Sequence, residues 1–244
     1  MISDPRGIVN RRQLMGDIDA NCERVMEKIR SAAERSGRDP GEIKLLAASK
    51  SRGVTEIRSA FNAGVRLFGE NYVQEAVNKK EAIGEPAEWH MIGHLQRNKV
   101  RQAVGLFSLI ESLDSLELAR MLDKEGKKQG RPVRAFVEVN LGGEESKSGV
   151  REKDLVPLLE EIRALSQLRV EGLMVIPPFR ENPEEVRPYF RALRELKMSL
   201  GGLAIPNVDL REISMGMTHD YPVAVEEGAT IVRVGTAIFG QRRE

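Results

Sequence analysis

Only one cysteine, Cys22, occurs in the chain, so no internal disulfide can form, and there is no CxxC pair to hold a metal. No stretch of about 20 apolar residues occurs, and the opening MISDPRGIVNRR lacks the apolar core of a secretory signal. Both absences predict a cytoplasmic protein with no membrane partner. An excess of charge of either sign is also missing. Basic and acidic side chains number 38 and 37, which gives no electrostatic reason to expect nucleic acid. Lys127-Lys128 and Arg242-Arg243 read as solvated charges rather than patches. No GxSxG, GxxxxGK[ST] or GxGxxG motif is present, so nucleophile-elbow and nucleotide-loop chemistry lack support. No Pro/Gly/Ser-rich linker divides the chain.

What is present is an alternation. Short apolar runs at 43–49, 65–69, 89–93, 106–112, 133–140, 170–176, 208–214 and 230–235 read as eight strands. Amphipathic stretches separate them, such as Leu155, Leu159, Ile162 and Leu165 at helical spacing. Asn182-Pro183-Glu184-Glu185 has the form of a helix start, and Pro188 marks either a kink or a later start. Ahead of the first strand, residues 8–35 form a long helix with Val25, Ile29 and Ala32 on one face. At 244 residues, with 41% apolar and 31% charged side chains, the length suits a (β/α)8 barrel of about 250 residues. The expected architecture is therefore α/β: a single TIM barrel domain spanning 1–244, with residues 1–40 as an extra N-terminal helical extension packed on it. A doubly wound open sheet is the alternative on pattern alone. That helix could close the barrel bottom or form a dimer seam.

In a barrel, function sits at the C-terminal ends of the strands. The first strand ends in Lys50, where partial desolvation would favour the neutral amine that attacks an aldehyde. Gly235-Thr236 opens a turn after the eighth strand, the usual phosphate position in barrels. Arg233 lies inside that strand, where a charge needs a partner or a ligand. Ser214 and Gly216 reach the same rim, and Asn71 stands at the exit of the second strand. His90 and His94 are four apart on a strand and its exit, a spacing that does not converge on a metal as it would on a helix.

These segments together resemble the pyridoxal phosphate homeostasis protein family: LLAASK at 45–50, FGENYVQE at 68–75, WHMIGHLQRNK at 89–99, VNLGGEESKSG at 139–149, GLMVIP at 172–177, SMGMTHDYPVAV at 214–225 and VRVGTAIFG at 232–240. They are spread over nearly the whole chain. The resemblance implies a barrel like the N-terminal domain of alanine racemase, with pyridoxal 5′-phosphate held as a Schiff base on Lys50. It further implies Ser214, Gly235 and Thr236 at the phosphate, Met215 nearby, Arg233 against the pyridine nitrogen, Asn71 lining the pocket, and His90 and Met174 at neighbouring strand positions. His94, Arg97 and Thr218 depart from the family pattern and are expected not to touch the cofactor.

A guanidinium beside the pyridine nitrogen discourages its protonation and weakens the cofactor as an electron sink. Alanine racemase takes its opposite acid/base from a second domain, which a chain with eight residues after Thr236 is expected to lack. The expected protein is thus a non-catalytic carrier that buffers or delivers the cofactor as a monomer or weak dimer, with free amino acids and apo-enzymes that use the cofactor as further partners. The alternatives are a weak amino-acid racemase using Lys50 with water or Tyr72, and a phosphate-ligand barrel without the Schiff base.

Overall fold

Eight of the apolar runs become parallel strands: β1 (Lys44–Ala48), β2 (Leu67–Glu70), β3 (Glu88–Met91), β4 (Leu109–Leu113), β5 (Val133–Asn140), β6 (Leu168–Met174), β7 (Val208–Met217) and β8 (Ile231–Val234). The computed structural model describes residues 11–84, 86–143 and 148–241, with side chains from Asp17 onward. Each strand pairs in parallel with the next, β1 also pairs with β8, and β4 with β5. The ring is therefore closed, which removes the sheet edges an open doubly wound fold would leave. A two-residue segment, Val150–Arg151, adds to the end of β5.

Alternation along the strands divides the side chains between two environments. Inside the barrel, Leu46, Leu67, Leu109, Phe136, Met174 and Ile231 pack together. Outside, Ala47, Phe68, Trp89, Ile110, Val137, Leu173 and Val232 meet the helices. These are α2 (Val54–Asn62), α3 (Val73–Ile83), α4 (Val100–Leu106), α5 (Leu116–Gln129), α6 (Glu152–Ile162), α7 (Arg187–Leu200), α8 (Tyr221–Glu226) and α9 (Thr236–Phe239), in chain order after α1 (Arg11–Arg35).

The helix α1 takes a place in the outer ring, against α2, α8 and α9. The reason is length: α9 has four residues, too few to cover β8 and β1, and α1 supplies the missing cover. Ile18, Cys22, Val25, Ile29 and Ala32 form its buried face. Burial of each of the larger aliphatic side chains contributes about 1.5–3 kcal/mol. Asn21 Nδ2 donates to the Ile238 carbonyl at 2.8 Å, and Arg38 to those of Val225 and Ala229 at 2.7 and 2.8 Å. Burial, aided by Asp19, pushes the Cys22 thiol up to about 11, which leaves it unreactive. The first residues of the expected helix, 8–10, lie outside the described residues, as do 1–7 of the expected extension, 144–147 of the VNLGGEESKSG segment, and Arg242-Arg243.

Local differences from the expected pattern have local causes. Leu106 ends α4 rather than opening a strand, because the apolar run continues across the helix end. Pro188 is the second residue of α7, where its missing N–H costs nothing, so the later start is the one adopted. The strand β7 runs three residues past Ser214, which matters at the site.

Candidate functional site

The strand ends open on a cavity of about 540 Å³. Lys50, Asn71, Glu138, Arg233, Gly235 and Thr236 line it. Its rim adds His94, Met217 and Thr218. Sequence reasoning set His94 and Thr218 apart from any ligand contact; the structure places both on the cavity wall. Thr218 Oγ1 accepts from the N–H groups of Gly235 and Ala237, each at 3.3 Å. Asp220 fixes this rim, since its Oδ1 accepts from the Met217 N–H at 2.6 Å. Gly216 makes the turn possible. Its φ is +88°, and a Cβ there would lie 2.5 Å from that of Ala224. On the opposite side, a Cβ on Gly93 would come within 2.8 Å of the Asn71 backbone, so glycine lets Asn71 reach the wall.

Below the cavity, polar side chains cross the otherwise apolar barrel interior. Because β7 extends to Met217, Ser214 lies a full layer below the rim and is fully buried. Its hydroxyl donates to Glu111 Oε2 at 2.5 Å and accepts from Arg233 Nη1 at 2.6 Å. Arg233 Nη2 donates to the Val175 carbonyl at 2.8 Å, and Nη1 stands 3.9 Å from Glu111. His90 Nδ1 lies 2.7 Å from Glu111 Oε1. A carboxylate can only accept, so Nδ1 carries the hydrogen. The result is a buried chain, His90–Glu111–Ser214–Arg233, that fixes the guanidinium at the cavity floor.

Burial pushes the Glu111 carboxyl up, but His90, Arg233 and Ser214 together hold it below the usual carboxylate range. Burial lowers the Arg233 pKa, and Glu111, Glu138 and Asp220 counter it. Glu138 behaves differently. It faces the cavity, is 7% exposed, and its carboxyl makes no hydrogen bond among the described residues. Burial raises its carboxyl to about 7, with Asp114 adding to the shift and Arg233 and His94 opposing it.

That shift has a stability consequence. A carboxyl raised in the folded state binds more protons there than in the unfolded chain, so its contribution is full at low pH and is lost as pH rises from the ordinary value through about 7. Glu138→Gln is therefore expected to exceed the wild type in stability by about 3 kcal/mol at pH 8, and by no more than about 1 kcal/mol at pH 5. Urea unfolding of both proteins at the two pH values checks this, and equal gains at both would refute it.

Five of the sequence-derived site residues therefore share the cavity: Lys50, Asn71, Arg233, Gly235 and Thr236. His90, Met174 and Ser214 lie beneath it within the barrel. Met215 faces the other way, fully buried between barrel and helices, and is not on the cavity wall. Tyr72 is 64% exposed and lines a separate shallow recess with Gln96 and Lys99. Glu111 and Glu138 escaped the sequence reading. The signal was available in LIESL and VEVN, a carboxylate in mid-strand, the same anomaly that drew attention to Arg233.

Comparison with known proteins gives the class first. The family model described as "Alanine racemase, N-terminal domain" matches residues 20–243. A curated protein of Aquifex aeolicus, named pyridoxal phosphate homeostasis protein, is 49% identical over 91% of this chain and 98% of its own length. One of the same name from Escherichia coli (strain K12) is 39% identical over 93% and 98%. The chain belongs to the pyridoxal phosphate homeostasis protein family. Among solved structures, a Bifidobacterium adolescentis protein superposes with a TM-score of 0.89 at 35% identity, covering 95% of this chain and 98% of that one. PipY of Synechococcus elongatus, solved with PLP bound, gives 0.77 at 38% identity, over 88% and 100%. Alanine racemase of Clostridium difficile, at 12% identity and 0.67 over 90% and 60%, shares the fold.

Proposed function

We propose that this chain binds pyridoxal 5′-phosphate at the barrel mouth and buffers or delivers it in the cytoplasm, without catalysing a reaction of its own. The observation that carries this reading is a shared cavity: a lysine amine, a fixed guanidinium and a hydroxyl-bearing turn border the same 540 Å³ space. The names of the relatives, and the PLP bound to PipY, support it. When bound, the cofactor supplies an aldehyde able to form a Schiff base with an amine. Lys50, half-buried at the end of β1, is the amine on this wall. Gly235, Thr236 and Thr218 present hydroxyls and backbone N–H groups suited to a phosphate. Arg233 would face the ring nitrogen, and Asn71 the side of the ring. Ser214 acts one layer down, holding Arg233, with His90 and Met174 completing that layer.

The guanidinium on the floor keeps a proton off a facing ring nitrogen, which disfavours carbanion chemistry. Exposure of Thr236 and His94 at the rim leaves the mouth accessible to free amino acids and to apo-enzymes. One observation favours the racemase alternative: Glu138, with a near-neutral pKa, shares the cavity with Lys50. Tyr72 does not share it. Incubation of the loaded protein with L-alanine in deuterium oxide separates the two readings. A carrier yields no α-deuterium above that given by free cofactor. Enrichment lost in Glu138→Gln would establish the racemase and remove the carrier reading. Retention of one equivalent of cofactor through gel filtration tests binding itself.

A further inference from the structure

Lys50 lies between two residues that a buried cluster on β2 and α3 holds in place. On one side, the Ser49 N–H donates to the Gly69 carbonyl at 2.9 Å, and its hydroxyl to Glu70 Oε1 at 2.5 Å. The Ser49 carbonyl accepts from Lys79 Nζ at 2.9 Å. On the other side, the Ser51 N–H donates to Glu75 Oε2 at 2.8 Å. Lys79 joins the halves, donating to Glu70 Oε1 at 2.7 Å and to Glu75 Oε2 at 2.9 Å. Its side chain is 8% exposed, and that of Glu70 is fully buried.

A lysine is buried so deeply only where all its donors are met. Here the three donors of the ammonium meet three acceptors, and each acceptor bears on a neighbour of Lys50: the Ser49 backbone, the carboxylate that holds the Ser49 hydroxyl, and the carboxylate that holds Ser51. Ser51 also has φ +60°, a left-handed conformation that a residue with a Cβ keeps only where its surroundings impose it. That reversal turns the chain from the strand into α2 immediately after Lys50.

We propose that Lys79, Glu70 and Glu75 form a positioning clamp that fixes the backbone on both sides of Lys50 and so directs its amine into the mouth cavity. The three are positioning residues; none lines the cavity. The proposal rests on the reading of Lys50 given above.

Glu75 is the residue to change, because it is partly exposed and its removal leaves the buried Lys79–Glu70 pair intact. The probe is pyridoxal phosphate followed by borohydride. The Lys50 nitrogen replaces the aldehyde oxygen, which leaves as water, and borohydride hydride then reduces the new C=N bond to a secondary amine that peptide mapping locates. Glu75→Ala is expected to be trapped at Lys50 about tenfold more slowly than the wild type, while Glu75→Gln, which keeps an oxygen for the Ser51 N–H, stays within about twofold. Wild-type rates in Glu75→Ala, or equal slowing in both variants, would overturn the clamp, the second by pointing to charge rather than geometry. A wild type that is never trapped at Lys50 removes the Schiff-base reading instead. Amide hydrogen exchange of Ser51 in the cofactor-free protein then decides the clamp: faster in Glu75→Ala but not in Glu75→Gln upholds it, and no change overturns it.

Discussion

Lys50→Ala is expected to lose the visible absorption band formed on adding pyridoxal phosphate, and to yield no borohydride-trapped adduct anywhere in the barrel. The loss follows from Lys50 being the amine that borders the cavity among the described residues. Among the described residues that line it, no other lysine occurs. Lys79, the nearest in the clamp, spends all three donors on Ser49, Glu70 and Glu75 and would have to break them to react. Arg233 cannot substitute, since a guanidinium does not lose its proton in a protein. What the variant keeps is reversible binding. Gly235, Thr236, Thr218 and Arg233 remain in place, and charge-assisted hydrogen bonds of this kind contribute about 1.5–3 kcal/mol each. Equilibrium dialysis should therefore still find a complex, weaker and without the band. A variant that keeps the band would move the linkage to another lysine and dissolve the assignment of the cavity. A variant that neither absorbs nor binds, with its melting temperature unchanged, would show that Arg233 and the Gly235 turn contribute little without the covalent link.

The parts of this fold that depend on periodicity were legible in the sequence. Eight apolar runs separated by amphipathic stretches specify eight parallel strands because each strand is buried on both faces. The face of α1 follows from Val25, Ile29 and Ala32. Its position does not, because it depends on α9 being four residues long, a fact about packing three-dimensional neighbours 200 residues apart. At the site, single residues at strand exits were legible because their position alone announces the mouth: Lys50, Asn71, Gly235 and Thr236. Depth was less so. Ser214 reads as a rim residue until β7 is seen to continue to Met217, and strand ends are set by neighbouring strands rather than by local propensity. Partners of Arg233 were hidden for a related reason. Glu111 is 122 positions away in sequence, and only the closed ring, which sets β4 and β8 on opposite walls of one interior, makes them neighbours.

That closure makes Glu111 a costly side chain to remove. Glu111→Leu leaves the buried Arg233 guanidinium without its carboxylate, and His90 and Ser214 without their acceptor. Breaking a buried pair from one side costs about 3–5 kcal/mol, against a total stability of about 5–15 kcal/mol for a domain. The variant should unfold at markedly lower urea concentration. The charge left behind, not lost packing, is the cause, so removing it should help: the double variant Glu111→Leu/Arg233→Leu is expected to recover most of the deficit, because a buried pair replaced by apolar side chains is often neutral within a few kcal/mol. A double variant no more stable than Glu111→Leu would assign the cost to His90 and Ser214 instead. The pH dependence separates Glu111 from Glu138 in the same experiment. Held below the usual carboxylate range, Glu111 contributes stability that is full above the ordinary carboxyl pKa and is lost as pH falls through its lower folded value. Glu138 contributes in the opposite sense, losing stability as pH rises through about 7. The deficit of Glu111→Leu should thus shrink in acid, and the gain of Glu138→Gln should grow as pH rises from the ordinary carboxyl value through about 7, where Glu138 ionises beside Arg233. The floor of the cavity would then be most firmly held in the interval between these two transitions, with Glu111 charged and Glu138 neutral, leaving one net carboxylate to balance one guanidinium.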